Sequence, residues 1–172
     1  GTAIFANSPY LEGKRTKFSS YRSHIWQEAD RTRTGIPFSS KKDFSFLTRE
    51  ECISSYLDFA LDANLIFYQD ENNDLKKAPS GLTFRRWMEE GSLHPPTLED
   101  FQKSITLLFP EVRPKGFLEI RSVDAQDFKW QMVPAVFYAG ILYDEMALEE
   151  AYDLLNSGPS SFRESLVKSS YG

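Results

Sequence analysis

Cysteine and histidine are scarce in this 172-residue chain: Cys52 is alone, and His24 and His94 are the only two histidines. One cysteine excludes an internal disulfide and any zinc site built on cysteines. Neither histidine has a second ligand at metal-binding spacing, so each reads as structural or surface. Cys52 falls within a predicted amphipathic helix with no histidine near it in sequence, which suits a buried filler better than a nucleophile. Glycine-rich phosphate loops are missing too, since Ser80-Gly81 and Gly91-Ser92 stand isolated. Any phosphate must then be held by arginines and metal.

No long hydrophobic run is present either. The longest, from Met132 to Tyr143, is too short to span a bilayer and reads as a buried helix. Neither charge forms a block: 20 Lys and Arg face 25 Asp and Glu, for a net charge of −5. That balance argues against a nucleic-acid partner, and nothing points to a membrane one. With no charged-then-apolar opening segment and a single thiol, the expected compartment is the reducing cytoplasm. There is no initiating Met, and residues 2–6 read as a strand cut from a longer chain.

What the chain does have is aromatic side chains, 15% of its residues, and enough length to bury one sizeable core. Asn7-Ser8-Pro9 ends the first predicted strand, and Ser19 or Ser20 caps a helix to about Asp30, with Tyr21, Ile25 and Trp26 on its apolar side. Asp30 to Pro37 reads as a polar loop punctuated by Gly35 and Pro37, and residues 38–46 continue it irregularly. Thr48 with Glu51 forms a capping box opening a helix to Ala60 or Leu61, striped by Ile53, Tyr56, Leu57 and Ala60. Residues 64–69 read as a short strand. The charged run from Asp70 to Asp74 lacks the glycine and terminal glutamate of a calcium loop and reads as a hairpin turn or surface loop. A helix over 83–90 packs Phe84, Trp87 and Met88. The next opens at Thr97 with Asp100 in the carboxylate's place and buries Leu98, Phe101, Ile105 and Leu108. Helices over 130–143, 144–156 and 161–169 follow. The expected class is α+β, helix-rich, with a few antiparallel strands in a single domain spanning 1–172.

One stretch carries chemistry. After Pro114, residues alternate: Leu118 and Ile120 face one way, Phe117, Glu119 and Arg121 the other. A carboxylate and a guanidinium then share a strand face with Cα atoms roughly 6.5–7 Å apart. Arg113 and Lys115 lie upstream on the same side. Such a face suits a floor binding metal and phosphate, and equally an ordinary half-solvated strand with cross-strand ion pairs. Arg22, Arg33, Arg113 and Arg121 add planar forks that match carboxylate and phosphate.

In order along the chain, Ile4-Phe-Ala-Asn-Ser-Pro9, Glu12-Gly-Lys14, Arg22-Ser-His-Ile-Trp26, Asp30, Arg33-Thr-Gly35 and Pro37-Phe38 resemble the plant and proteobacterial type of glutamate–cysteine ligase. Tyr56, Ala60-Leu-Asp62, Thr83-Phe-Arg85, Phe109-Pro-Glu-Val-Arg113, Leu118-Glu-Ile-Arg121 with Asp124, Pro134-Ala135 and Gly140-Ile-Leu-Tyr-Asp144 extend the likeness over nearly the whole chain. The resemblance implies part of a glutamine-synthetase-like antiparallel sheet with packed helices, and an ATP- and Mg²⁺-dependent joining of L-glutamate to L-cysteine through a γ-glutamyl phosphate. By matched motif position it implies Glu119 as a magnesium ligand, Arg121 at the γ-phosphate or reacting carboxylate, and Arg22 on the α-carboxylate of glutamate. Arg33, Arg113 and Lys115 would meet nucleotide phosphates. Ser122 stands where related enzymes commonly carry glycine. Nothing matches the family's N-terminal half, so the chain is expected to be the C-terminal part of a ligase, inactive without the remainder. A relative with another acceptor amine, or a non-catalytic binding or scaffold module of the same fold, would fit the same pattern.

Overall fold

A computed structural model describes residues 4–35, 37, 48–91 and 94–157. The elements in chain order are β1 (Tyr10–Leu11), β2 (Lys14–Arg15), α1 (Tyr21–Glu28), α2 (Arg31–Thr34), α3 (Arg49–Asp62), β3 (Phe67–Gln69) and β4 (Leu75–Lys77). They continue with α4 (Phe84–Glu90), α5 (Leu98–Thr106), β5 (Val112–Pro114), β6 (Leu118–Ile120), α6 (Val133–Leu142) and α7 (Glu145–Ser157). The class is mixed α+β, as expected. Two compact units divide the chain, Gly1–Glu28 with Gly116–Gly172, and Ala29–Lys115.

In the Ala29–Lys115 unit the starts of α3, α4 and α5 follow the sequence closely. The stretch read as a loop from Asp30 instead forms the short α2, because the Asp30 side chain caps it by accepting from the Thr32 N–H. Thr48 Oγ1 accepts from the Glu51 N–H at 3.2 Å, and Glu51 Oε2 accepts from the Thr48 N–H at 2.9 Å, so both orphan donors of α3 are met. Thr97 and Asp100 do the same for α5. Thr83 Oγ1 caps α4, and Gly91 ends it at φ +60°, a backbone region glycine enters without steric cost. The Asp70 to Asp74 run is a hairpin turn between β3 and β4, which pair antiparallel with Tyr68 opposite Lys76. Asp70 Oδ1 accepts the N–H groups of Asn72 and Asp74, the local bonding that makes aspartate a turn residue.

The core of this unit is Ala78, Leu82, Phe84 and Trp87, joined through Phe101 to Ala60, Ala63 and Leu108. Edge-on ring contacts fix it, with Phe84 5.5 Å from Trp87 and 5.0 Å from Phe101. Four apolar positions depart from the expected core: Ile53, Leu57, Met88 and Leu98 are exposed. Each sits at the margin of its helix stripe, where helical periodicity alone does not separate a core position from its neighbour.

The unit of Gly1–Glu28 with Gly116–Gly172 holds α1, β6, α6 and α7. Ser20, fully buried, caps α1 by accepting from the Ser23 N–H at 3.1 Å. Over the described residues 4–6 the expected first strand does not form: Ile4 is in a turn and Phe5 in a bend, and the Phe5 carbonyl accepts from the Asp124 N–H and from Gln126 Nε2 instead of a ladder. Thr2 and Ala3 lie outside the described residues, as do residues 38–47 and the helix expected over 161–169. The apolar run from Met132 to Tyr143, read as a buried helix, is α6, entered at Pro134 and preceded by a 3₁₀ turn (Phe128–Trp130). Of α6 only Pro134 is buried, and Val136, Phe137 and Leu142 are exposed. The helix docks through Phe5, whose ring meets Phe137 at 5.4 Å and Tyr138 at 6.0 Å. Among the described residues, no helix is long and apolar enough to cross a membrane.

Candidate active site

The strand expected after Pro114 shrinks to β6, three residues long, and Arg121 lies one residue past its end. The alternation survives. Glu119 Oε1 and Arg121 Nη1 are 3.5 Å apart on one side, with side chains 30% and 20% exposed. On the other, Leu118 and Ile120 line a cleft of about 550 Å³ with Val123, Pro134, Ala135 and Tyr138. That volume is within the range of small-molecule sites.

Helix α1 brings the second arginine. Arg22 in its first turn and Trp26 one turn later share a face, as residues four apart must. The Arg22 guanidinium carbon sits 5.6 Å from the Trp26 ring and that of Arg121 sits 5.8 Å from the same ring. Arg22 Nη2 also donates to the Arg121 backbone carbonyl. Two like charges on one indole need compensation, and two carboxylates supply it: Glu119 beside Arg121, and Asp124 with Oδ1 3.8 Å from Arg22 Nη1. The Asp124 side chain is only 2% exposed. Its Oδ2 accepts from the Asn7 N–H and the Ser8 hydroxyl, each at 2.8 Å.

Three expected site residues belong to the other unit. Arg33 is buried, and its Nε and Nη2 both donate to the Leu107 carbonyl, at 3.1 and 2.5 Å. Arg113, also buried, donates through Nη1 to the carbonyls of Thr106 and Leu108 at 3.3 and 3.2 Å. Together they cover the end of α5, where helical carbonyls lack partners and the helix dipole is negative. Lys115 is exposed.

Of the residues the sequence singles out, Glu119, Arg121 and Arg22 come together here, whereas the sequence reads Trp26 only as part of the apolar side of α1 and gives Asp124, Asn7 and Ser8 no place in the site. The spacing of Arg22, Trp26 and Ala29 already puts the three on one helix face in the sequence. The Asp124 contacts cross more than a hundred residues of chain, which no local pattern encodes.

The model of glutamate-cysteine ligase family 2 matches residues 1–167. The chain belongs to that family. Similar proteins are the chloroplastic glutamate–cysteine ligases of Nicotiana tabacum, 37% identical over 171 residues, and Arabidopsis thaliana, 36% over 172; each match takes in 96% of this chain and 31% of the relative. That of Solanum lycopersicum is 38% identical over 159 residues, 89% of this chain and 28% of the relative. The family member described here thus spans about a third of the length of the curated relatives it matches. Their names also correct the cytoplasmic expectation, because all three are chloroplastic. A lone thiol suits any reducing compartment and does not choose between cytosol and plastid.

Proposed function

We propose that this chain forms the glutamate-handling part of an ATP-dependent ligase that joins the γ-carboxylate of L-glutamate to the amine of L-cysteine, the first step of glutathione biosynthesis, in a plastid. The observation that carries the proposal is the pair of guanidiniums on the Trp26 ring with Glu119 beside one of them. Family membership supports the reaction class.

In the proposed sequence a γ-carboxylate oxygen of glutamate attacks the γ-phosphorus of ATP and ADP leaves. The cysteine amine then attacks the acyl carbon of γ-glutamyl phosphate, loses a proton, and phosphate departs. Arg22 binds the α-carboxylate, for which its planar fork is suited. Arg121 faces the reacting end, where negative charge gathers on the transferring phosphoryl oxygens and then on the tetrahedral oxyanion. Trp26 holds both cations at a fixed spacing, so neither must reorganise as charge develops. Lys115, exposed, is assigned to nucleotide phosphate, while Arg33 and Arg113 serve the frame that ends α5.

Glu119 fits a magnesium ion as one ligand: a hard carboxylate oxygen, partly exposed, on a strand. Among the described residues no group of three or more His, Cys, Asp or Glu could enclose the ion. Mg²⁺ commonly takes one or two protein carboxylates and completes its shell with water and phosphate oxygens. When bound, the ion would neutralise phosphoryl charge. Further carboxylates are proposed to come from outside this chain, so the chain alone is expected to release no phosphate from ATP.

The test is γ-glutamylcysteine formation by a full-length enzyme carrying this sequence. Glu119→Gln should lower kcat by roughly a hundredfold or more while the thermal midpoint stays put. Unchanged turnover in that variant would remove Glu119 from the site.

A further inference from the structure

Arg22 is held on three sides, and one of its contacts differs from the others. The Arg121 carbonyl takes Nη2 through a hydrogen bond, and the Trp26 ring supports the guanidinium carbon at 5.6 Å. The third contact is electrostatic alone. Nη1 of Arg22 and Oδ1 of Asp124 are both buried, stand 3.8 Å apart, and make no hydrogen bond to any of the described residues. Oδ2 of Asp124 is already taken by Asn7 and Ser8, so the carboxylate is anchored at one oxygen and offers its charge with the other.

We propose that Asp124 is the positioning residue for the Arg22 carboxylate clamp. Without its charge, the Arg121 guanidinium, seated 5.8 Å from the same indole, would push Arg22 off the ring. Arg22 on its seat is poised to bind the carboxylate of an amino acid. Displaced, it still carries charge but lacks direction. This role rests on the ligase reading for its substrate, though not for its geometry.

Two variants of the full-length enzyme separate positioning from simple scaffolding. Asp124→Asn keeps the side chain's shape. Its amide oxygen can accept from Asn7 and Ser8, which leaves the amide nitrogen facing Nη1 donor to donor. Ser23→Ala removes the buried hydroxyl bond from Ser20 at the start of α1 and leaves Asp124, its anchors and both charges in place. Asp124→Asn is expected to raise the glutamate KM by about 10–100-fold with kcat held within about threefold, the pattern of lost uniform binding. The KM values for cysteine and ATP should not move. Ser23→Ala should lower the thermal midpoint and leave the glutamate KM unchanged. If both variants raise the glutamate KM alike, or Asp124→Asn leaves it unaltered, the positioning role is overturned. Should the unsubstituted enzyme make no γ-glutamylcysteine, the ligase reading fails by itself. Asp124 is then judged by a crystal structure of this chain carrying Asp124→Asn: Arg22 gone from the Trp26 ring upholds the proposal, and Arg22 still seated there overturns it.

Discussion

Replacing Arg33 by methionine would distinguish an arginine that ends a helix from one that binds nucleotide. Its side chain gives two donors to one carbonyl, that of Leu107, and lies 5.5 Å from the Phe109 ring. Its own carbonyl accepts from the Phe109 N–H at 2.8 Å. Burial lowers the guanidinium pKa, nearby Asp30 partly offsets this, and an arginine stays charged regardless. Methionine would keep the apolar stem but strand the Leu107 carbonyl. A hydrogen bond from a charged donor contributes about 1.5–3 kcal/mol, and the ring contact adds about 0.5–1 kcal/mol. The expected loss is therefore about 2–4 kcal/mol, or a thermal midpoint lower by roughly 5–15 °C for a chain of this size. Urea unfolding should show the midpoint falling at constant slope, since the surface exposed on unfolding is the same. Arg33→Lys should lose part of this, because the charge remains while the two-pronged fork does not. A midpoint unchanged within about 0.5 kcal/mol would refute the helix-end role. So would loss of ATP binding by the full-length enzyme with stability intact.

The remaining predictions concern the same core. Trp87→Ala should cost about 3–5 kcal/mol, because the ring is fully buried and its Nε1–H donates to the His94 carbonyl at 2.7 Å; differential scanning calorimetry with no loss of midpoint would contradict that. The His94 pKa is raised from its ordinary 6.5, chiefly by bonding to the Gln69 carbonyl and then to that of Pro95. A raised folded-state pKa means the stabilisation is fully present below about 6.5 and fades as pH climbs through the folded value. His94→Gln should flatten that decline in a urea midpoint series run from slightly acid to slightly alkaline pH, and an identical slope in the variant would count against it.

How much was legible follows from how local each feature is. The caps at Thr48, Thr83 and Thr97 are decided by a hydroxyl and a backbone N–H three residues on, so short patterns find them. The hairpin at Asp70 is equally local. Glu119 and Arg121 could be placed on one side from alternation, although β6 proved only three residues long. The misses are nonlocal. Whether α6 is covered depends on what packs against it, and an all-apolar stretch says only that something could. The glutamine-synthetase-like sheet was inferred from family likeness, and strands of two or three residues neither build nor exclude it. The Arg22 and Asp124 pair joins α1 to a segment past β6, beyond the reach of any periodicity.

Because β6 keeps acid and cation on one side and oil on the other, its length is fixed in a way its composition is not. Adding or deleting a single residue between Leu118 and Arg121 would break the alternation, so that Glu119 and Arg121 no longer share a side and one of them turns toward the cleft. Substitutions there can be conservative, but a frame-preserving insertion cannot. In a deep library of this segment, single-codon insertions should be purged more severely than nearly any point change.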